Sequence, residues 1–381
     1  MTADDSGTEL RNALVDELVS RGAITSEAVE RAMRAVARHK LLRDVWIPSR
    51  ASSGTLDMSA HTVEEDEPSD ELVSQIYRDI PIITKMSDGR ARSSTSQPSL
   101  VAQMLELLDL QPGMRVLEIG AGTGYNAALM AEIVRSQELV TTVDIAADVV
   151  EQARLMLGRM GYPDISVICA DGALGHAEGA PYDRVVATVG CSDTAPAWLD
   201  QVAPDGLLLI PLAHFTAGHP LMRVHALDSG GAAGRVVAPA GFMPIEGALE
   251  LPPHNRSRGV STGEPRRAPV PAELKALEGT WEGPFWDLLY FLGLADERAG
   301  PGLMLADAEG SVRVDFRADE LLETGDSARL RDDLLGHVRT CNELGRPRAG
   351  DWLSTFVPVS AAEEREYRID RIHYSQVATL S

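Results

Sequence analysis

The stretch Val116-Leu-Glu-Ile-Gly-Ala-Gly-Thr-Gly-Tyr125 decides the fold of this chain, together with Val143-Asp144 further along. A short apolar strand runs into glycines at positions 120, 122 and 124, a helical stretch covers residues 125–135, and a second apolar strand ends on the acid. This order predicts a βαβ unit that binds a nucleotide. Glycines let the backbone approach a ligand closely, and an acid at the end of the second strand can accept hydrogen bonds from ribose hydroxyls.

The spacing of the glycines indicates which ligand is bound. Dinucleotide sites usually read G-x-G-x-x-G, because a pyrophosphate lies on the helix N-terminus. Here Glu118 stands two residues before Gly120, and no glycine occupies the third dinucleotide position. A carboxylate at this turn would repel a pyrophosphate but would suit the sulfonium and ammonium groups of S-adenosylmethionine. The pattern therefore favours that cofactor over a dinucleotide or an ordinary tight turn.

Composition excludes several classes of partner. The chain has 381 residues, enough for two or three domains, and its net charge is −22. Such an acidic surface repels nucleic acid and anionic membranes. Cys169, Cys191 and Cys341 lie far apart and form neither a disulfide framework nor a zinc site. With a polar N-terminus and no long apolar stretch, we expect a cytoplasmic protein. We also expect no metal, and a monomer is favoured although the sequence does not determine the oligomeric state.

Hydrophobic periodicity divides the chain. Residues 9–22 and 25–39 have helical spacing, residues 49–71 are polar and acidic and predict a solvated loop, and from residue 100 helices alternate with apolar strands. That alternation predicts an α/β fold with a parallel sheet covered on both faces. The predicted domains are 1–95 (N-terminal helices and substrate loop), 96–250 (Rossmann-like domain), 251–272 (linker) and 273–381 (an extra α+β module).

Several motifs occur together in an order that resembles the protein-L-isoaspartate O-methyltransferases. They are the glycine run, Ser94-Thr-Ser-Gln-Pro98 before it, Arg43-Asp-Val-Trp-Ile-Pro48, Tyr77-x-Asp79, the run from Pro196 to Pro211, and Gly241-Phe-Met-Pro-Ile-Glu-Gly247. The resemblance covers roughly residues 9–250. It implies a Rossmann-like class I methyltransferase that uses S-adenosylmethionine and releases S-adenosylhomocysteine.

The resemblance also implies cofactor contacts. The glycines would border the methionine and ribose portions, with the acid before them orienting the loop, and further residues would hold the ribose and face the adenine. The implied set is Glu118, Gly120, Gly122, Gly124, Asp144, Ile145, Asp171 and Gly172. The alternatives from the residues alone are a plain loop acid at position 144 and a helix N-cap at position 171.

The substrate loop departs from the family pattern, which usually reads Thr-aliphatic-Ser followed by Gln or Ala and Pro. Ser96 aligns with the active-site serine, Ser94 takes the place of the threonine, and Thr95 is polar where an apolar residue is usual. These three residues are the predicted catalytic set, and the departure puts the ordinary substrate preference in question. The alternative is that the hydroxyl cluster caps the helix that follows.

The chemistry needs few groups, because a peptide carboxylate is already ionised at neutral pH and requires no strong general base. Versions of the family with C-terminal extensions look similar to this chain and act on ribosomally made peptides such as lanthipeptides, lasso peptides and graspetides. We therefore expect methylation of an aspartyl side chain in such a peptide, giving an ester that cyclises to a succinimide. The alternatives are repair of L-isoaspartyl residues in damaged proteins, another small carboxylate as substrate, or a binding module without turnover.

Overall fold

The computed structural model describes residues 3–50, 56–63, 69–228, 230–250, 264–275, 284–361 and 367–381. The chain divides into two compact units. The first unit contains residues 1–189, 200–209 and 246–248, and the second contains residues 190–199, 210–245 and 249–381. No helix in the described ranges is long and apolar enough to cross a membrane.

Two N-terminal helices form as the spacing predicts. Helix α1 spans Ala3–Ser20, and α2 spans Glu27–Ala35 after the N-cap Ser26, whose hydroxyl accepts from the Val29 amide. A 3₁₀ turn at Arg38–Leu41 follows. The predicted second helix therefore ends earlier than residue 39.

The interpretation of residues 49–71 as a solvated loop is wrong for part of that range. Strand β1 (Asp44–Arg50) pairs antiparallel with β2 (Leu56–Thr62), with Trp46 opposite Ala60. Residues 51–55 and 64–68 lie outside the described part of the chain. The sequence of β2 does alternate, with apolar Leu56, Met58 and Ala60 separated by polar residues, and this period of two is the local signal that could have predicted the strand.

A four-stranded sheet carries the substrate loop. Its order is β2-β1-β3-β4, where β3 is Ile82–Ser87 and β4 is Arg90–Thr95. Helix α3 (Asp70–Ile76) precedes it, and α4 (Pro98–Leu108) follows. The apolar cluster that includes Ile76 and Ile82 is buried. This packing fixes the point at which the chain leaves β4.

The larger sheet of the first unit is parallel, as predicted, with the order β7-β6-β5-β8-β9. Its central strand is buried along its whole length. The carboxyl ends of these strands meet at one edge, which is where ligands bind in such sheets. The elements are β5 (Val116–Ile119), α5 (Tyr125–Val134), β6 (Val140–Asp144), α6 (Ala147–Arg159), β7 (Ser166–Cys169), β8 (Tyr182–Ala187), α7 (Pro196–Gln201) and β9 (Val202–Pro211).

The second unit holds two antiparallel sheets, ordered β10-β11-β17-β19-β18 and β12-β16-β15-β14-β13. An α+β module is therefore present, as expected. Its strands are β10 (Leu221–Ala226), β11 (Ala232–Ala238), β12 (Arg266–Pro269), β13 (Ala299–Gly300), β14 (Met304–Ala306), β15 (Gly310–Asp315), β16 (Glu320–Gly325), β17 (Trp352–Pro358), β18 (Arg368–Asp370) and β19 (Tyr374–Leu380). Its helices are α8 (Ala272–Lys275), α9 (Pro284–Ala295) and α10 (Ser327–Glu343).

Two of the predicted boundaries differ from the structure. Residues 266–269, placed in the linker, form β12 and pair with β16, while residues 251–263 lie outside the described ranges. Strands β10 and β11, placed in the Rossmann-like domain, belong to the second unit because β11 pairs with β17. Local composition does not reveal such pairing, since the partner strand lies more than a hundred residues away.

Candidate active site

The glycine loop follows β5 directly and leads into α5. Gly120, Gly122 and Gly124 have φ angles of 100°, 51° and 80°, in the left-handed region that favours glycine. Gly124 is the N-cap of α5, and a Cβ there would lie 2.8 Å from Leu157. A Cβ at position 122 would lie 3.6 Å from the carbonyl oxygen of Ser94. The structure therefore brings the predicted cofactor loop and the predicted substrate loop together.

Glu118 is buried beneath this loop, with 1% of its surface exposed. Its Oε1 accepts a hydrogen bond from Asn126 Nδ2 at 2.8 Å, and its Oε2 accepts one from Thr142 Oγ1 at 2.7 Å. Burial raises the pKa of Glu118 to about 7, and these two hydrogen bonds oppose the rise. Sequence reasoning missed Asn126 and Thr142. The amide at the second position of α5 is the one local signal that could have identified a partner.

Asp144 ties the ends of β5 and β6 together. Its Oδ2 accepts from the Gly122 amide at 3.2 Å, and its Oδ1 accepts from the Ala146 amide at 3.1 Å. Each carboxylate oxygen can accept a further hydrogen bond, so capacity for a ribose hydroxyl remains. The neighbouring Ile145 is 41% exposed, which gives an apolar surface beside this acid. The residues present thus fit a ligand with a diol and a flat apolar ring.

Asp171 has the geometry of an N-cap, the alternative to an adenine contact that the sequence left open. Its Oδ1 accepts from the Ala173 amide at 2.9 Å and caps the 3₁₀ turn Gly172–Leu174, in which Gly172 is buried. Its Oδ2 accepts from the Ala248 amide at 2.8 Å. The side chain therefore holds two backbone segments, and a contact to adenine would use its remaining acceptor capacity.

The three predicted catalytic residues separate into two faces. Ser94 and Ser96 are half-buried, whereas Thr95 is buried with 4% of its surface exposed. Alternate residues of an extended segment point to opposite sides. The Thr95 side chain is therefore in the interior, and its place in the catalytic set stays a prediction. The two half-buried serines lie on the other side of this segment.

The helix after this loop is capped by a residue that the sequence reasoning did not assign to this role. Helix α4 begins at Pro98 with Gln97 as its N-cap residue, and no side-chain hydrogen bond comes from Gln97 to the helix backbone. Instead, Asp79 Oδ1 accepts from the Ser99 amide at 2.8 Å. Ser96 is therefore not the cap of α4. In the sequence Asp79 is only part of a family motif. Its hydrogen bond to the amide of Ser99, 20 residues further along the chain, cannot be predicted from spacing.

Comparison with known proteins adds the decisive observation. A family model described as protein-L-isoaspartate(D-aspartate) O-methyltransferase matches residues 9–250. The chain belongs to this family. It is an S-adenosylmethionine-dependent methyltransferase. The assignment of the glycine loop, Glu118 and Asp144 to this cofactor stays a prediction. Among the described residues, no group of three His, Cys, Asp or Glu side chains could hold a metal ion.

Two curated relatives match a part of the chain of about the same length as the part that the family model matches. The protein-L-isoaspartate O-methyltransferase of Hyperthermus butylicus is 36% identical over 247 residues, covering 63% of this methyltransferase and 89% of the relative. That of Methanothermobacter thermautotrophicus is 34% identical over 237 residues, covering 62% and 95%. Each match thus leaves more than a third of this chain without a counterpart in the relative.

A solved structure described as protein-L-isoaspartate O-methyltransferase is similar over a longer range. It covers 97% of this chain and 99% of its own, with a TM-score of 0.55 and 21% identity. At this identity the likeness shows the fold alone. The match nevertheless extends over most of the C-terminal region.

Proposed function

We propose that this methyltransferase acts on the side-chain carboxylate of an aspartyl residue in a ribosomally made, modified peptide. The observation that carries the proposal is the substrate loop. Two half-buried serines, Ser94 and Ser96, flank a buried Thr95 where the family usually has an aliphatic residue. A buried hydroxyl changes the packing and polarity beneath the acceptor site. We infer that the acceptor differs from the linear isoaspartyl segment of the ordinary reaction.

The side chains of this site suit carboxyl methylation. Ser96 would donate a hydrogen bond to one oxygen of the acceptor carboxylate and leave the other oxygen to react. Glu118 and Asp144 would hold the cofactor, which supplies the methyl group when bound. No general base is needed, because the acceptor has already lost its proton at neutral pH. Alignment and exclusion of water are then the main tasks of the protein.

The ester product accounts for the proposed role in biosynthesis. The backbone nitrogen that follows the esterified residue attacks the ester carbonyl, the C–O bond to the methoxy group breaks, and methanol leaves with the nitrogen's proton. The resulting succinimide is an aspartimide. Water can reopen the ring at either carbonyl, which gives aspartate or isoaspartate.

Repair of L-isoaspartyl residues is the second candidate. Both relatives are named protein-L-isoaspartate O-methyltransferases, which supports repair. Methylation of an isoaspartyl carboxylate would need the same side chains. In the peptide-tailoring proposal, one carboxylate cannot distinguish a dedicated peptide from others, so additional surface must recognise it. Residues 273–381 supply such surface, and we propose that they contribute to peptide recognition.

A comparison of acceptors separates the two candidates. The measurement is kcat/KM for three synthetic peptides of one sequence: a linear isoaspartyl form, a linear aspartyl form, and an aspartyl form closed by a thioether ring. The proposal expects the cyclic aspartyl peptide to be the best acceptor, with the dehydrated succinimide detected by mass spectrometry. A preference for the linear isoaspartyl peptide would establish repair instead.

A further inference from the structure

Arg38 is a fully buried arginine that contacts the substrate loop, with none of its surface exposed. Its Nη2 donates to the carbonyl oxygen of Ser96 at 2.9 Å and reaches that of Thr95 at 3.5 Å. The same guanidinium donates from Nη1 to the Ile76 carbonyl at 2.8 Å and from Nη2 to the Ile80 carbonyl at 3.2 Å. One side chain thus joins the end of α3, the turn after it and the substrate loop.

The charge of Arg38 is not neutralised by an ion pair. Among the described residues no carboxylate forms a salt bridge with its guanidinium, and its Nε has no hydrogen-bond partner. Asp79 contributes only a through-space attraction, since its oxygens are engaged by Arg21, Gln97 and Ser99. Burial lowers the pKa of Arg38 to about 10, so the group keeps its charge at neutral pH.

An unpaired buried charge is costly, because it loses its hydration and gains only carbonyl dipoles in return. The hydrogen bonds to the carbonyl oxygens of Ile76, Ile80 and Ser96 hold the guanidinium in place, but no carboxylate offsets its charge. The uncompensated charge is therefore able to attract an anion bound nearby. The positive group lies against the backbone of Ser96, the half-buried residue whose hydroxyl is the proposed contact of an anionic acceptor.

We propose that Arg38 is the positioning residue of the acceptor site: it fixes the loop at residues 95–96 through the backbone carbonyls, and its charge selects an anionic carboxylate. This inference rests on the assignment of Ser96 as the acceptor contact, and it applies equally to an aspartyl or an isoaspartyl carboxylate. Arg38 does not contact the reacting atoms. It acts through the backbone that it holds and through its field.

The test uses the full-length enzyme with two substitutions and a matched control. Arg38→Met removes the charge at similar length, and Arg38→Lys keeps the charge but loses the planar fork. Arg34→Met is the control, because Arg34 belongs to the same region but forms surface ion pairs with Asp16 and Glu30. The acceptor is whichever linear or cyclic peptide the wild type methylates fastest, and its inhibitory twin has a carboxamide in place of the reacting carboxylate.

We expect Arg38→Met to raise KM for the carboxylate peptide about tenfold, since a charge near the site acts through an effective dielectric of about 20. Its inhibition constant for the carboxamide twin should rise by a clearly smaller factor than KM, because that peptide loses only the ordered loop and not the attraction to the charge. Its affinity for S-adenosylhomocysteine should stay within about twofold of wild type. Arg38→Lys should have a KM close to that of the wild type, because the charge is kept. Its kcat should stay below that of the wild type, since one ammonium group cannot bond to the same set of carbonyls.

Three results would overturn the inference. If Arg38→Met raised KM for the carboxylate peptide and the inhibition constant for the carboxamide peptide by the same factor, the charge would not select a carboxylate. Wild-type kcat and KM in both variants would show that the loop does not need Arg38. Loss of cofactor binding in both variants, with the control intact, would assign Arg38 to folding alone. A wild-type preference for the isoaspartyl peptide would defeat the peptide-tailoring proposal but would leave this test valid on that peptide.

Discussion

At the scale of single residues, the protonation state of Glu118 should affect both the stability of the protein and the binding of a cationic cofactor. Its buried carboxylate has a pKa raised to about 7 from 4.5 because burial disfavours the ionised form. The folded protein therefore binds this proton more tightly than the unfolded chain. The contribution of the group to stability is present below pH 4.5 and is lost as the pH rises towards 7.

Cofactor binding should have the opposite dependence on pH. A cationic ligand favours the ionised carboxylate, so binding releases the proton and the affinity rises with pH. We expect the affinity for S-adenosylmethionine to increase by roughly tenfold at most per pH unit below the pKa of Glu118, and to level off above it. Calorimetric titration at several pH values measures this. The Glu118→Gln variant should show a flat profile, and an unchanged slope in that variant would contradict the assignment.

Asp144 is the second residue whose removal has a defined result. Asp144→Ala deletes an acceptor for the ribose hydroxyls and for the Gly122 amide, so S-adenosylmethionine binding should weaken by about 1.5–3 kcal/mol. The matched control is Asp148→Ala, which removes an exposed carboxylate of α6 that pairs with Lys85. Wild-type affinity in Asp144→Ala, measured by calorimetry, would reject the ribose contact.

Ser96 carries the prediction for the acceptor. Ser96→Ala removes a hydrogen bond to a charged carboxylate, which is worth about 1.5–3 kcal/mol, so kcat/KM should fall by roughly tenfold or more. Affinity for the cofactor should not change. Ser93→Ala serves as the control, because its hydroxyl bonds to Thr84 within the hairpin. An unchanged kcat/KM in Ser96→Ala would exclude the serine from the acceptor site.

At the scale of elements, the position of the substrate loop depends on how α4 begins. Asp79 accepts from the Ser99 amide and from the Gln97 side chain, so it joins the turn after α3 to the N-terminus of α4. Arg38 bonds to carbonyls of the same two segments. The chain where the substrate loop enters α4 is therefore held at a carbonyl group, that of Ser96, and at an amide group, that of Ser99.

Loss of this cap should destabilise the first unit. Asp79→Ala leaves the Ser99 amide without its acceptor and should lower the free energy of unfolding by about 1–2 kcal/mol, whereas Asp79→Asn, which keeps an acceptor, should cost less. Urea denaturation followed by circular dichroism measures the difference. The exposed Asp164 offers a control substitution to Ala. Equal stability of Asp79→Ala and that control would show that the cap contributes nothing.

At the scale of the whole molecule, the C-terminal region is part of a shared sheet in the second unit rather than a detachable appendage. β17 pairs with β11, from Ala232 opposite Phe356 to Gly234 opposite Ser354. The buried carboxylate of Asp193 accepts from the amides of His373 and Tyr374. Removing the C-terminal residues would take the partner strand from β11 and leave this carboxylate with fewer donors.

We therefore expect deletion of residues 254–381 to produce an aggregating protein, because it exposes the edge of β11 and uncovers apolar side chains. Light scattering and size-exclusion chromatography would detect this. A soluble, monomeric fragment with wild-type cofactor affinity would contradict the expectation. In that case the fragment could be used directly to test whether residues 273–381 recognise the peptide.

The sequence by itself determined the parts of this protein that are contiguous in the chain. The run from Val116 to Tyr125 contains a strand, a glycine turn and a helix start, and all three follow from local sterics and apolar patterning. The alternation of helices and strands up to residue 211 determined the parallel sheet in the same way. The separate motifs in family order determined the family.

Only the tertiary structure decided which groups meet across the chain. Thr95 is turned inward by its register opposite Ile82, which no local pattern showed. Strand β12 forms because β16 pairs with it, since its own residues, Arg266–Pro269, have little strand preference. Arg38 and Ser96 are 58 residues apart, yet they are joined by a hydrogen bond. Such contacts depend on the packing of whole elements, which fixes distances that sequence separation does not contain.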